Sequence, residues 1–377
     1  MAGPSSHASP VGSPPLGLGT EYNHDLNVSE EFLAQNAVIR DALKDQRLLE
    51  MFAHYEAEAK SCKRSFQALG FGSLVFATIS LLSVALSVLL GNSLASAYGL
   101  WGALLEFGSV TSIILLVLNR IGRYRVRWCQ AVFCRERLRQ WHFQKFLDGA
   151  LMSLLPGQPA EFKAEMDRRW NILRQNLRDG YGMMTAFVHH RSGARDLLHH
   201  PSRYSDPHVA TISWDAMCIL RFEHQLGYGE RKIEPQGELV GLALEEQARL
   251  SESVANLSLF GAVVAGALAF ALSLRQAFPA LGVSSPSNED YSRILAGSAL
   301  LLAVISAASR AYRAGYTLPD EIESYGEYRN RVSEIKAVCE NVTSAEDRFR
   351  QLERLEEEAV AELRRFLKMK MRASFVY

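Results

Sequence analysis

Glu106 is the residue whose chemistry fits its setting least. It lies near the middle of "AYGLWGALLEFGSVTSIILLVLNR", Ala97 to Arg120, a stretch otherwise suited to a membrane interior. An ionised carboxylate in hydrocarbon is costly, so such residues face a bundle interior or water. Two readings follow. Glu106 lines or gates a pore when several copies assemble, or it is a protonated acid bonded to a serine of a neighbouring helix, such as Ser80 or Ser83.

A second cluster is cationic. Arg168, Arg169, Arg174, Arg178, Arg191, Arg195 and Arg203 interleave with Trp170, Tyr181 and Tyr204. Guanidinium forks beside aromatic planes suit a phosphate-bearing ligand or stacked bases. Arg168, Arg169, Trp170, Arg174, Arg178, Arg191 and Arg195 are therefore the candidate ligand-binding set. The alternative is a solvated helix face paired with Asp167 and Asp179. A third cluster, His189, His190, His199, His200 and His208 with Asp196 and Asp206, holds metal-ligand chemistry, but no pair has i, i+4 or finger-like spacing. A polar loop is expected there, and no metal. The chain has no GxSxG, Gly-rich phosphate loop, HExxH or CxxC, so neither an enzyme nor a cofactor is expected.

Composition sets the frame for these residues. The 41 basic and 41 acidic residues balance, which argues against general nucleic-acid affinity though not against a local patch. The five cysteines, Cys62, Cys129, Cys134, Cys218 and Cys339, follow no zinc or redox spacing and read as reduced thiols.

From Ser65 to Leu105 there is no Asp, Glu, Lys, Arg or His. A membrane-spanning helix needs about 20 apolar residues, so this run holds one span, a turn at Gly91 to Ser96 and the start of another. The spans fall near Leu69–Leu90 and Ala97–Asn119. A second pair follows at Ser253–Leu274 and Ile294–Ser309, the last short and completed by snorkelling of Arg293 and Arg310. Gly261, Ala265, Gly266, Gly297 and Ser298 permit close helix contact. Arg275 and Arg293 would flank an outer mouth, with an anion bias opposite to that of Glu106. Lys60, Lys63, Arg64, Arg120, Arg123, Arg125 and Arg127 flank the first pair and the turn has no charge, so both flanks are expected in the cytosol. The basic run Arg120–Arg139 reads as topology and lipid-headgroup contact.

The expected class is an all-α integral membrane protein, with four transmembrane helices as two hairpins and long cytosolic helical extensions. Its expected parts are a disordered tail (1–28), a cytosolic helix (29–68), a first hairpin (69–119), a helical lobe (120–252), a second hairpin (253–309) and terminal helices (310–377). Gly122–Gly149 has no breaker and reads as one helix continuing out of the membrane. Leu352, Leu355, Ala359, Leu363 and Phe366 mark one face of a final helix. These two helices are the expected subunit contacts.

"HYEAEAKSCKRSF" before the first span, "WCQAVFCRERLRQWHFQKFLDG" after the second, and "YGEYRNRV" with "QLERLEEEAVAELRRFLKMK" near the end carry a resemblance. Over roughly 30–150 and 235–377 the plan resembles the SLATT families, the SMODS- and SLOG-associating two-transmembrane effector domains of bacterial conflict systems. The doubled hairpin with a soluble insert departs from them. The resemblance implies an inner-membrane effector with N- and C-termini cytoplasmic, in contact with membrane lipid. It would be a homo-oligomer, silent until a nucleotide or oligonucleotide signal, from a nucleotidyltransferase encoded nearby, opens a pore and aborts infection. A constitutive small-ion channel or transporter, and a membrane-anchored scaffold for a partner protein, are the alternatives.

Overall fold

The computed structural model describes residues 25–90, 98–189, 202–227, 244–277, 287–342 and 344–375. About 90 % of them are helical and none forms a strand. Ten longer helices carry the fold: α1 Gln46–Leu90, α2 Tyr98–Ile121, α3 Tyr124–Gln144, α4 Pro159–Arg178, α5 Gly180–His189, α6 Pro207–Met217, α7 Leu244–Ala277, α8 Ser287–Tyr316, α9 Leu318–Asn341 and α10 Ala345–Arg372. Helices in α1, α2, α7 and α8 are long and apolar enough to cross a membrane.

α1 and α2 form an antiparallel pair. Gly108 crosses α1 so closely that a Cβ there would lie 2.8 Å from the Phe76 carbonyl oxygen. Ser80 Oγ donates to the Leu105 carbonyl at 3.1 Å, and Ser112 Oγ to the Ser73 carbonyl at 2.9 Å. Such polar contacts between apolar helices are worth about 0.6 kcal/mol each. α7 and α8 pair in the same way: Ser306 Oγ donates to the Ala255 carbonyl at 2.7 Å, and Gly261 makes room for Leu302. The two pairs join through α1 and α8, where Gly297 meets the Leu89 backbone.

The expected helix over 29–68 is three pieces plus the start of α1. Ser29 caps Glu30–Gln35 as expected, its Oγ accepting from the Phe32 amide. The Asn36 side chain closes that helix on the Phe32 carbonyl, and Asp45 accepts from the Arg47 and Leu48 amides to start α1 afresh. From there α1 runs unbroken into its apolar half. The last residues of the tail expected over 1–28 are ordered, since Asp25 and Leu26 are in the core and Asp25 pairs with Arg139 at 3.0 Å. Residues 1–24 lie outside the described ones.

Gly122–Gly149 is likewise not one helix. α2 ends at Ile121, and Arg123 adopts a left-handed φ of 48° before α3 begins. A side chain at Gly122 would have to displace the Tyr124 ring, which lies 2.3 Å from where its Cβ would stand. α8 ends in the same manner at Thr317, φ 54°. Pro319 follows as an early position of α9, where its missing N–H costs nothing. The two apolar pairs thus share one exit device.

Beyond these exits lies a polar lobe whose axis is α3 and its extension. From Trp128 to Gly149 every residue is buried except Gln130, Arg135 and Glu136. Arg137 and Arg139 therefore sit within protein, and the headgroup reading of Arg120–Arg139 is wrong for them. Glu136 takes Arg135 at 2.6 Å and Arg139 at 2.9 Å. Arg137 donates to Gln140 at 2.9 Å. Arg221, carried on a π-helical turn at Cys218–Glu223, reaches Glu356 of α10 at 2.5 Å and lies over the Phe143 ring. Leu352, Leu355 and Leu363 are buried and Phe366 packs on Trp128. The apolar face of α10 is thus spent inside the chain, and neither α3 nor that face is free to join subunits.

Asp148 ties the end of this axis to two distant segments. It accepts from Ser202 Oγ at 2.5 Å and from Arg169 at 2.8 Å, while the Gly149 amide donates to the Ser202 carbonyl. A Cβ on Gly149 would lie 2.4 Å from the Tyr204 nitrogen, which is backbone and cannot swing aside. Gly149→Ala is expected to destabilise the lobe by roughly 1–3 kcal/mol. A urea midpoint followed by tryptophan fluorescence measures it, and an unchanged midpoint would refute it.

Candidate ligand cleft and membrane carboxylate

The arginine set does not gather into one site. Arg168 is exposed and held bidentately by Glu165, both contacts at 2.7 Å. Arg169 is nearly buried between Asp148 and Glu165. The hydrogen bond from Arg168 and then the guanidinium of Arg169 bring the Glu165 carboxyl down to about 2, so all three stay ionised and paired. Arg191 and Arg195 lie outside the described residues, as do His190, Asp196, His199 and His200. Among the described residues no three His, Cys, Asp or Glu side chains gather in a way that could hold a metal.

Trp170 and Arg174 are brought to a common feature. They line an open cleft of about 420 Å³ between α4 and the polar half of α1, with Arg47, Glu50, Met51, His54 and Tyr55 opposite. Trp170 packs edge-on to Trp141 at 5.4 Å, and the Arg47 guanidinium stands 5.5 Å from its ring centre. Arg47 is also paired with Asp167 at 2.7 Å. Burial first, then the hydrogen bond with Cys134, pushes the Tyr55 hydroxyl up to about 12, so it is a neutral donor at ordinary pH. Arg174 is exposed at the rim, and Arg178 is exposed one turn further on. The cleft offers the exposed guanidiniums of Arg47, already paired with Asp167, and Arg174, with the Glu50 carboxylate, a neutral phenol and an imidazole around an indole wall. That set can bind a small anionic or aromatic group.

Arg47, Glu50, Met51, His54 and Tyr55 were not singled out from sequence. Their steps of 3, 1, 3 and 1 mark one face of a helix, the signal that could have found them. The thiols are held in their protonated form at ordinary pH. Burial pushes Cys129, Cys134 and Cys218 up to about 12 and Cys339 to about 11.

Glu106 is exposed on the side of α2 that faces away from α1. Val110, Ile113, Val117 and Ile121 share that face, with Ile121 73 % exposed. The serine-bonded alternative is not what forms. Ser80 is bonded to Leu105 and Ser109, and Ser83 turns to its own helix at the Ile79 carbonyl. Of the two arginines expected near an outer mouth, Arg293 is paired with Asp290 at 2.8 Å, and the Arg275 side chain lies outside what is described.

These features define an all-helical, multi-pass membrane protein with a polar lobe whose buried helix is rich in charge. The chain matches no family model, no curated protein and no solved structure.

Proposed function

We propose that this chain is the membrane effector of a bacterial antiphage defence system, with the SLATT-like plan read from its sequence. It sits in the inner membrane as two hairpins with the polar lobe and both ends in the cytosol. It homo-oligomerises into a pore gated by a nucleotide or oligonucleotide, the product of a nucleotidyltransferase encoded nearby. Opening depolarises the membrane and aborts infection.

One observation carries this reading. Glu106 is exposed on an apolar helix face of the single chain, and a carboxylate turned to lipid costs several kcal/mol. Covering that face with further copies, so that the carboxylates ring a wet axis, removes the cost. The cleft gives the ligand a place on α1, the same helix that packs along α2.

The test is ion leakage from liposomes holding the purified chain, with a panel of cyclic and linear oligonucleotides. Leakage is expected with one class of ligand. Glu106→Gln is expected to change it about tenfold, the size of a 1.4 kcal/mol effect on a barrier, with insertion unaltered. Absence of leakage from inserted protein under every ligand would instead favour an anchored scaffold.

A further inference from the structure

The residues just beyond α10 touch both membrane exits at once. Phe375 is buried, and its ring fills the space beside Gly70 of α1 and Gly315 of α8. A Cβ built on either glycine would lie 2.2 Å from a ring atom, so the ring occupies what would be side-chain volume on two helices. Phe66 and Tyr316 complete the socket, their ring centres 5.5 and 5.2 Å away. Arg125, two residues past the left-handed Arg123, donates to the Ala373 carbonyl at 2.6 Å. Lys370 Nζ donates to Thr317 Oγ1 at 2.8 Å and to the Tyr316 carbonyl at 3.3 Å, bracing the other left-handed residue.

α1 and α8 run antiparallel, and two places fix how they cross. At Leu89 and Gly297 the helices are in direct contact, a Cβ on Gly297 lying 2.8 Å from the Leu89 Cα. At Gly70 and Gly315 the Phe375 ring stands between them. A helix rises about 28 Å from Gly70 to Leu89, close to the ~30 Å of a bilayer's hydrocarbon. One end of the crossing is thus a tight pivot, while the other is spaced by the Phe375 ring, with Phe71 of α1 and Tyr312 of α8 meeting edge-on beside it at 6.2 Å.

We propose that Phe375 is a wedge that sets the angle between the two antiparallel helix pairs, and that its withdrawal is the movement by which the polar lobe acts on the membrane part. The ring can leave without unfolding the lobe, because Leu352, Leu355, Leu363 and Leu367 anchor α10 independently of it. Glycine at both positions has a clear reason here: any larger residue would expel the ring.

The test measures geometry and not conduction, so it stands whether or not the chain forms a pore. Spin labels on Ile121→Cys of α2 and Leu257→Cys of α7, both well exposed, report the spacing of the pairs in lipid nanodiscs, the labelled chain being diluted with unlabelled chain. The parent is expected to give one narrow distance distribution. Phe375→Ala removes the wedge and Gly315→Ala expels it, and both are expected to broaden or shift that distribution while leaving the urea midpoint of the lobe within experimental scatter. An unchanged distribution in either variant overturns the proposal. So does a collapse of the lobe's cooperative unfolding in both, since Phe375 would then be core and not wedge.

Discussion

Arg221→Met is expected to cost the lobe about 3–5 kcal/mol, because it strands Glu356 as an unpaired buried charge. Both side chains are within a few per cent of complete burial, and their 2.5 Å contact joins the π-helical turn to α10. Burial works against the Arg221 charge, and the attraction of Glu356 is the largest of the effects that outweigh it. Glu356→Leu alone is expected to cost a similar amount by leaving the guanidinium over Phe143. The double replacement is expected to recover most of the loss, since two apolar side chains need no solvation. Urea unfolding in detergent followed by tryptophan fluorescence is suited to this cycle, because Trp128, Trp141, Trp170 and Trp214 all lie in the lobe. Additive losses in the double variant would contradict the argument.

Acid is expected to unfold the lobe steeply only below about pH 4.5, the ordinary carboxylate value. Burial pushes the Glu136 carboxyl up, but Arg139 and Arg135 outweigh it and bring it down to about 2. A depressed acid stabilises above its unfolded value and loses that contribution as pH falls through its folded value. The loss is about 3 kcal/mol between pH 4.5 and 2. His142 is buried, and burial followed by Lys145, Arg221 and Arg139 holds it well below its usual range. Its unfolded form takes a proton below about pH 6.5, so it removes stability from there downward. Glu362 works in the opposite sense. Burial and then Glu136 raise it to about 7, so it adds stability as pH falls from 7 to 4.5. The two slopes oppose each other, and stability is expected to be nearly flat over that window. Glu362→Gln should expose the histidine limb, giving a decline that begins near pH 6.5. A flat profile in that variant would count against the assignment.

The apolar spans were legible because hydropathy over some 20 residues is a strong signal that packing does not alter. The boundaries of α1 were not. Its polar half, Gln46 to Arg64, changes sharply in composition into the charge-free half that follows, and that change reads as a boundary although no helix breaker stands there. The break at Arg123 was missed because it needs a left-handed arginine, a conformation few sequences announce. α3 was misread for a different reason. "CRERLRQWHFQK" looks solvated by composition, and only the pairing of its arginines with Asp25 and with its own Glu136 makes its burial tolerable. For the cleft, the α4 side was visible as an arginine and tryptophan run. The α1 side needed the fold to turn a helical face toward it.

The unbroken α1 also has a mechanical meaning. A 45-residue helix is a rod of about 68 Å. Pivoting at the Leu89 contact with Gly297, it carries the Gly70 socket about 28 Å and the cleft near Arg47 about 63 Å along the same arm. This lever has a gain of about one half. Two ångströms of movement at the cleft become about one at the socket. Whatever occupies the cleft must therefore move its walls about twice as far as the socket has to open, which favours an occupant large enough to draw α4 bodily toward α1 over one that merely repositions a side chain.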